Sequence, residues 1–263
     1  MVIIGLLLGV LITRYSGRIL VGQPVPAAPI KTNDGAEYDH RQPIHTVDLS
    51  KLFPSIIIRQ GNPKLPDLAL TFDDGPDSTY TPQILDILKK YRVKATFFVV
   101  GTQIQNYPVI FKRIIQEGHQ VASHSYQHIK MSELSAAQIQ YQLRKNNETI
   151  RTNGGPSQVN LFRPPYSAID PASIKVIAAQ HFRIVLWTID SLDWRGFRKL
   201  HIESNILPML RNGYIILQHC ASFSKREDLT GSITSLPDVI LTAQKRGFRF
   251  VTVSQLLKEA GRM

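Results

Sequence analysis

Residues 67–90 read Asp67-Leu68-Ala69-Leu70-Thr71-Phe72-Asp73-Asp74-Gly75-Pro76, then Asp77-Ser78-Thr79-Tyr80, then Thr81-Pro82-Gln83-Ile84-Leu85-Asp86-Ile87-Leu88-Lys89-Lys90. Leu68 to Phe72 is a short apolar run closed by Asp, Gly and Pro, which reads as a strand ending in a turn. Thr81-Pro82 reads as an N-cap followed by the first helical residue. Ile84, Leu85 and Leu88 then share one helical face ahead of Lys89 and Lys90. Strand, polar turn and amphipathic helix make one βα unit.

The same alternation continues downstream. Ala95 to Val100, Gln120 to Ser123, Val159 to Phe162, Ile184 to Ile189, Tyr214 to Leu217 and Phe248 to Val251 read as strands. Pro108 to Glu117, Ser135 to about Ile150, Pro171 to His181 and Ile233 to Lys245 read as helices. Roughly seven βα repeats emerge, which implies an α/β fold with a parallel sheet. That many units in about 190 residues fits a closed or nearly closed barrel, with an open doubly wound sheet as the alternative.

Upstream, Val2 to Ile12 is an uninterrupted apolar run followed by Arg14 and Arg18. It is shorter than the roughly 20 residues a membrane-crossing helix needs, and it has the usual length of a signal-peptide core. Residues 1–21 are therefore expected to be a signal peptide or membrane anchor, and the protein to be exported to the cell envelope. A buried strand or helix is the other reading of the run. Residues 22–66 are rich in Pro and polar residues without a sustained period, and are expected to be a linker to a catalytic domain at 67–260.

Composition narrows the function classes. With 263 residues, 43% of them apolar, the chain can bury a single core. The lone Cys220 excludes an internal disulfide framework and a cysteine-ligated zinc finger. Lys and Arg exceed Asp and Glu by 31 to 20, a formal +11 that favours anionic surroundings such as nucleic acid, acidic lipid or a cell-wall polymer. No helix-turn-helix, RNP or finger pattern accompanies that charge, so no nucleic-acid partner is expected.

Polar residues that interrupt the apolar pattern gather at strand ends: Asp73 and Asp74, His124, Arg163, Asp190 and Asp193, and His219. In a βα barrel the C-terminal strand ends converge on one mouth, where active sites are built. His124 and His128 form an i, i+4 pair that shares one face if the segment makes a helical turn. Two imidazoles and one carboxylate of Asp73-Asp74 make a ligand set for a divalent metal with positions left open. The same set serves non-haem iron oxygenases; a spare carboxylate, Asp73, and an imidazole, His219, favour hydrolysis, which needs a base and an acid. Taken singly, Arg163 also reads as a surface cation over Tyr166, Asp193-Trp194 as a turn before a core aromatic, and His219 as a buried structural histidine.

Together these segments resemble the NodB-type polysaccharide deacetylases, the family-4 carbohydrate esterases. Five motifs occur in the family's order: Thr71 to Pro76, His124 to His128, Arg163-Pro164-Pro165-Tyr166, Asp190 to Trp194, and Leu217-Gln218-His219. The resemblance covers about residues 67–255. It implies a distorted (β/α)7-type barrel, the NodB homology domain, and a divalent metal, most often Zn2+, held by Asp74, His124 and His128. It further implies Asp73 as general base oriented by Arg163, and His219 as general acid tuned by Asp193. Pro165 and Tyr166 would line the substrate site, the Tyr166 amide helping to bind the oxyanion, with Trp194 and Leu217 walling the acetyl pocket. Ser167 and Cys220 stand where relatives often have Gly and Asp.

The substrate so implied is a polysaccharide, first of all N-acetylglucosamine units of peptidoglycan. Chitin or chito-oligosaccharides, acetylxylan, a cyclic amide or imide, and a catalytically inactive glycan-binding role are the alternatives. A monomer is expected, with membrane association through residues 2–12.

Overall fold

The computed structural model describes residues 48–223 and 228–261. In chain order they form α1 (Leu49–Leu52), β1 (Ile57–Ile58), β2 (Asp67–Asp73), α2 (Thr81–Lys90), β3 (Thr96–Val99), α3 (Gly101–Asn106), α4 (Pro108–Gln116), β4 (Gln120–Ser123), α5 (Ala136–Thr152), β5 (Leu161–Phe162), α6 (Pro171–Ala179), β6 (Arg183–Val185), β7 (Ile189–Asp190), α7 (Lys199–Ile206), β8 (Ile215–His219), α8 (Thr230–Lys245), β9 (Arg249–Val251) and α9 (Val253–Glu259). The strands lie in the order β1-β6-β5-β4-β3-β2-β8-β7, with β9 beside the first half of β2, and every pairing between them is parallel. The path is a curled, open version of the expected barrel, with β1 and β7 at its two ends.

Parallel strands covered on both faces read as nearly continuous apolar runs, and all seven residues of β2 are buried, its polar Asp67, Thr71 and Asp73 included. Alternate residues serve two different layers. Leu68, Leu70, Phe72, Phe97, Val99, Val121, Phe162, Ile184 and Ile216 pack outward with helix residues such as Ile84, Leu85 and Leu88. Ala69, Phe98, Ala122, Leu161, Val185 and Ile215 face the other way and form a second cluster with Val253, Leu256 and Leu257 of α9. The period of two then fixes where the chemistry goes. Thr71 and Asp73, His124, Arg163, and Leu217 and His219 all share the parity of this second, inner layer.

Helix starts are set by local polar residues. Ser135 with Gln138, Asp170 with Ser173, and Thr252 with Gln255 make reciprocal caps at α5, α6 and α9. At α2 the expected cap is corrected: Tyr80 occupies the cap position and Thr81 is already helical. The carboxylate of Asp77 accepts the N–H groups of Thr79, Tyr80 and Thr81 at 3.2, 2.8 and 2.8 Å. The Thr81 hydroxyl instead donates to the Cys220 carbonyl at 2.7 Å, tying the first βα turn to the end of β8.

Three further departures have physical causes. The strand expected over Ile184 to Ile189 is two strands: β6 lies beside β1 and β5, and β7 beside β8. Residues 186–188 span the open seam between them, the Leu186 N–H donating to Ile58 O at 2.8 Å and the Thr188 N–H to Ile215 O at 3.0 Å. Within the expected linker, two residues add a strand to the sheet. Ile57 and Ile58 pair with Ile184 and Val185, a run too short to show a period of its own. The expected segment 1–21 and residues 22–47 of the expected linker lie outside the described residues. Helices α1, α3, α7 and α9 are not read from the sequence; α7 buries only Ile202 and Ile206, too sparse an apolar face to stand out. Among the described residues no helix is long and apolar enough to cross a membrane.

Candidate metal centre and active site

Asp73 closes β2 and Asp74 follows it in a left-handed conformation, φ 77°. Eight non-glycine residues among those described have positive φ, and six of them are Asp74, Ser125, His128, Tyr166, Ser167 and Leu192, in the loops after β2, β4, β5 and β7. Each such conformation costs on the order of 1–3 kcal/mol where it is strained, a concentration typical of a functional site. Gly75 is needed for closeness: a Cβ there would come within 2.4 Å of Cys220 Sγ.

The two histidines do not share a helical turn. Residues 124–130 form an irregular loop, and the left-handed Ser125 and His128 turn it so that the imidazole centroids lie 5.0 Å apart. The loop is held by groups that lack any local signal in the sequence. Gln142 of α5 accepts the N–H groups of Tyr126 and Gln127 at 3.1 and 2.9 Å and donates to the Gln127 side chain at 2.7 Å. Ser125 Oγ accepts the His128 N–H at 2.9 Å, and buried Asn146 donates to Val99 O and Ser123 Oγ.

Asp74 Oδ1 faces His124 Nε2 at 3.2 Å and His128 Nε2 at 3.1 Å. His124 Nδ1 lies 2.7 Å from the Arg163 carbonyl oxygen, so the proton sits on Nδ1 and Nε2 offers a lone pair. Asp74 Oδ1 is buried with no hydrogen-bond partner. One ligand atom from each of Asp74, His124 and His128 lies within 4.8 Å of the other two. A buried, unpartnered carboxylate oxygen beside an imidazole lone pair is what a divalent cation satisfies, so the donor set fits one. Burial raises the Asp74 carboxyl; protonated imidazoles at His128 and His124 outweigh it and hold the group well below the usual carboxylate range, an attraction that a cation between the three groups would take over.

Asp73 stands beside this cluster, its Oδ2 3.8 Å from His124 Nε2. Its other oxygen accepts from Arg163 Nη1 at 2.6 Å. The guanidinium is fully buried; it also donates to Thr71 Oγ1 at 2.9 Å and Val185 O at 3.0 Å, and lies over the Phe98 ring at 4.1 Å. Burial pulls the Arg163 pKa down from its ordinary value and Asp73 opposes that pull. The surface-cation reading of Arg163 is thereby excluded.

β8 brings His219 to the register position opposite Asp73. His219 Nδ1 lies 2.7 Å from Asp193 Oδ1, and its backbone N–H donates to Asp193 Oδ2 at 2.8 Å. Asp193 is fully buried and also accepts from Ser232 Oγ at 2.8 Å, a partner the sequence did not reveal. Burial lowers the His219 pKa, but Asp193 more than reverses this and, with Asp74 and Asp73, pushes it up to about 10.

The remaining expected residues are nearby in graded fashion. Tyr166 contacts His128 with ring centroids 4.7 Å apart, and Pro165 is buried in the same turn. Leu217 is buried on β8, its Cα paired with that of Asp190. Trp194 is half-buried beneath Arg195 and follows Asp193, to whose Oδ1 its N–H donates at 3.0 Å.

Residues 60–185 match the family model described as polysaccharide deacetylase. The chain is 37% identical over 192 residues to a peptidoglycan-N-acetylglucosamine deacetylase of Bacillus cereus, across 73% of this chain and 68% of that one. It is 30% identical over 252 residues to the peptidoglycan-N-acetylmuramic acid deacetylase PdaA of Bacillus subtilis, across 93% of this chain and 92% of the relative. The crystal structure of the Bc1960 peptidoglycan N-acetylglucosamine deacetylase aligns with a TM-score of 0.75 at 34% identity, covering 80% of this chain and 96% of that one.

Proposed function

The chain belongs to the polysaccharide deacetylase family, and on that premise we propose that it removes N-acetyl groups from N-acetylglucosamine residues of peptidoglycan, with Zn2+ as its metal, in the cell envelope. The observation that carries the reading is the convergence of three ligand atoms with one buried acid–base pair on either side: Asp73 with Arg163, and His219 with Asp193. A glycan-binding protein without activity has no use for either pair.

The reaction adds water to an acetamide and releases acetate and an amine. Asp74, His124 and His128 would hold a divalent cation, which would supply Lewis-acid chemistry by polarising the acetyl carbonyl and bringing the pKa of water toward about 7. Asp73 is the general base: its Arg163-bound oxygen fixes the carboxylate, and the other oxygen takes the proton of the attacking water. The backbone N–H of Tyr166 is assigned to the oxyanion, a contribution of roughly 3–4 kcal/mol for a well-placed donor. An amine leaves poorly unless protonated. His219 donates that proton from Nε2 while Asp193 holds Nδ1, so the imidazolium is present throughout the neutral range. Leu217 and Trp194 wall the acetyl group.

The likeness to PdaA over nearly its whole length supports N-acetylmuramic acid as the second substrate reading. Acetate release from peptidoglycan, chitin oligomers and acetylxylan, with and without chelator, tests the assignment. Release from peptidoglycan that stops with chelator and returns with zinc is expected. Activity confined to acetylxylan or to a cyclic imide would move the substrate class, and no acetate from any glycan with metal present would overturn the reading.

A further inference from the structure

Phe223, four residues beyond His219, takes no part in that chemistry. Its ring stacks nearly flat on His128, centroids 4.5 Å apart and planes 18° apart, yet Phe223 is 46% exposed. Tyr166, 56% exposed, meets the same imidazole at 4.7 Å and 56°. His128 therefore sits between two aromatic rings that both remain open to solvent. A phenyl ring left half in water forgoes part of the roughly 1.5–3 kcal/mol its burial would give. A ring required only to orient His128 would gain by being covered; one that awaits an apolar partner would not.

The substrate supplies such a partner. In an N-acetylated sugar the acetyl carbonyl carbon is separated from the pyranose ring only by the amide nitrogen. When the acetyl group reaches the Asp74, His124 and His128 cluster, the sugar ring must lie against whatever walls the mouth there. Pyranose rings present C–H groups on their faces, and aromatic rings favour contact with such weakly positive hydrogens through their negative π-face.

We propose that Phe223 is a substrate-binding residue, which with Tyr166 brackets His128 and packs its exposed ring surface against the C–H groups of the pyranose ring being deacetylated or of its neighbour in the glycan. The inference rests on the deacetylase reading and adds to it a contact outside the five motifs. Phe223 is uncharged and donates no hydrogen bond, so it selects for a sugar ring without choosing among acyl groups.

The test compares wild type, Phe223→Ala and Phe223→Trp by calorimetric binding of the tetramer of N-acetylglucosamine to metal-free protein, by KM and kcat on the same tetramer, and by zinc content. Expected for Phe223→Ala is about tenfold weaker binding and a KM raised by a similar factor, with kcat reduced less than twofold and zinc retained. Phe223→Trp should bind at least as tightly as wild type. Unchanged tetramer binding by Phe223→Ala, or a loss confined to zinc affinity and kcat, overturns the proposal and leaves Phe223 as a support for His128. A wild type that deacetylates glycans while Phe223→Ala matches it in KM sinks this inference alone; a wild type that neither binds nor deacetylates any glycan sinks the functional reading with it.

Discussion

Asp193 determines whether His219 can act as an acid. A buried imidazole left to itself is neutral at pH 7, because burial disfavours the cation. Asp193, hydrogen-bonded to the ring at 2.7 Å and itself fixed by Ser232, reverses that preference and lifts His219 to about 10. The sign of the pH dependence follows. His219 is charged below its folded pKa, so activity persists at neutral pH and falls on the alkaline side as the proton is lost. The associated stability is fully present below about 6.5, the ordinary histidine value, and is lost as pH rises through about 10. Asp193→Asn should lower kcat at pH 7 by roughly 10²–10⁴-fold and move the alkaline limb of the pH–rate profile toward neutrality. A variant whose limb stays in place would assign that limb to another group.

Helix α5 carries a second-tier role that its sequence conceals. Gln142 is 4% exposed and takes two successive N–H groups of the loop bearing His128. Removing that acceptor deprives the loop of two hydrogen bonds, about 0.5–1.5 kcal/mol each, and frees it to part the two imidazoles. Gln142→Ala should weaken zinc affinity by roughly 10–100-fold, read by competition with a chelator. Gln142→Glu keeps an acceptor oxygen and should recover part of the loss; equal zinc affinity in all three proteins would show that the loop holds itself. Strand residues and motif residues were legible because a period of two, and polar residues at strand ends, are local signals. The His124–His128 spacing was legible too, but its cause was not a helical turn. It comes from positive φ at Ser125 and His128 and from a glutamine 14 residues further on, and such long-range partners leave no trace in a local window. Ser232 and Asp77 were hidden for related reasons, the first lying 39 residues from Asp193 and the second reading as one more turn residue.

At the scale of the whole molecule, the open seam and the metal centre are linked problems. A barrel that does not close leaves its inner layer to be capped. Here α9 covers one end through Val253, Leu256 and Leu257, while Arg163, lying over Phe98 and near Trp187, covers the other. The mouth is therefore built from buried charge: Arg163, Asp73, Asp74 and Asp193 are each at most 7% exposed. Ion pairing offsets much of the desolvation of Arg163 and Asp73, but the Asp74 oxygen stays without a partner, and breaking or omitting a buried pair leaves a penalty of several kcal/mol. Metal binding then acts on folding as well as catalysis, since it joins the end of β2 to the loop after β4 and needs both in place. With zinc at 100 times its dissociation constant the folded state gains about 2.7 kcal/mol, which for a domain of this size raises Tm by roughly 5–10 °C. Asp74→Asn and His128→Ala should each lose most of that zinc-dependent shift in a thermal melt without substrate, whereas Phe223→Ala should keep it. Equal melting temperatures for wild type with zinc and with chelator would mean that the three side chains do not hold a cation, and the proposed chemistry would have no site.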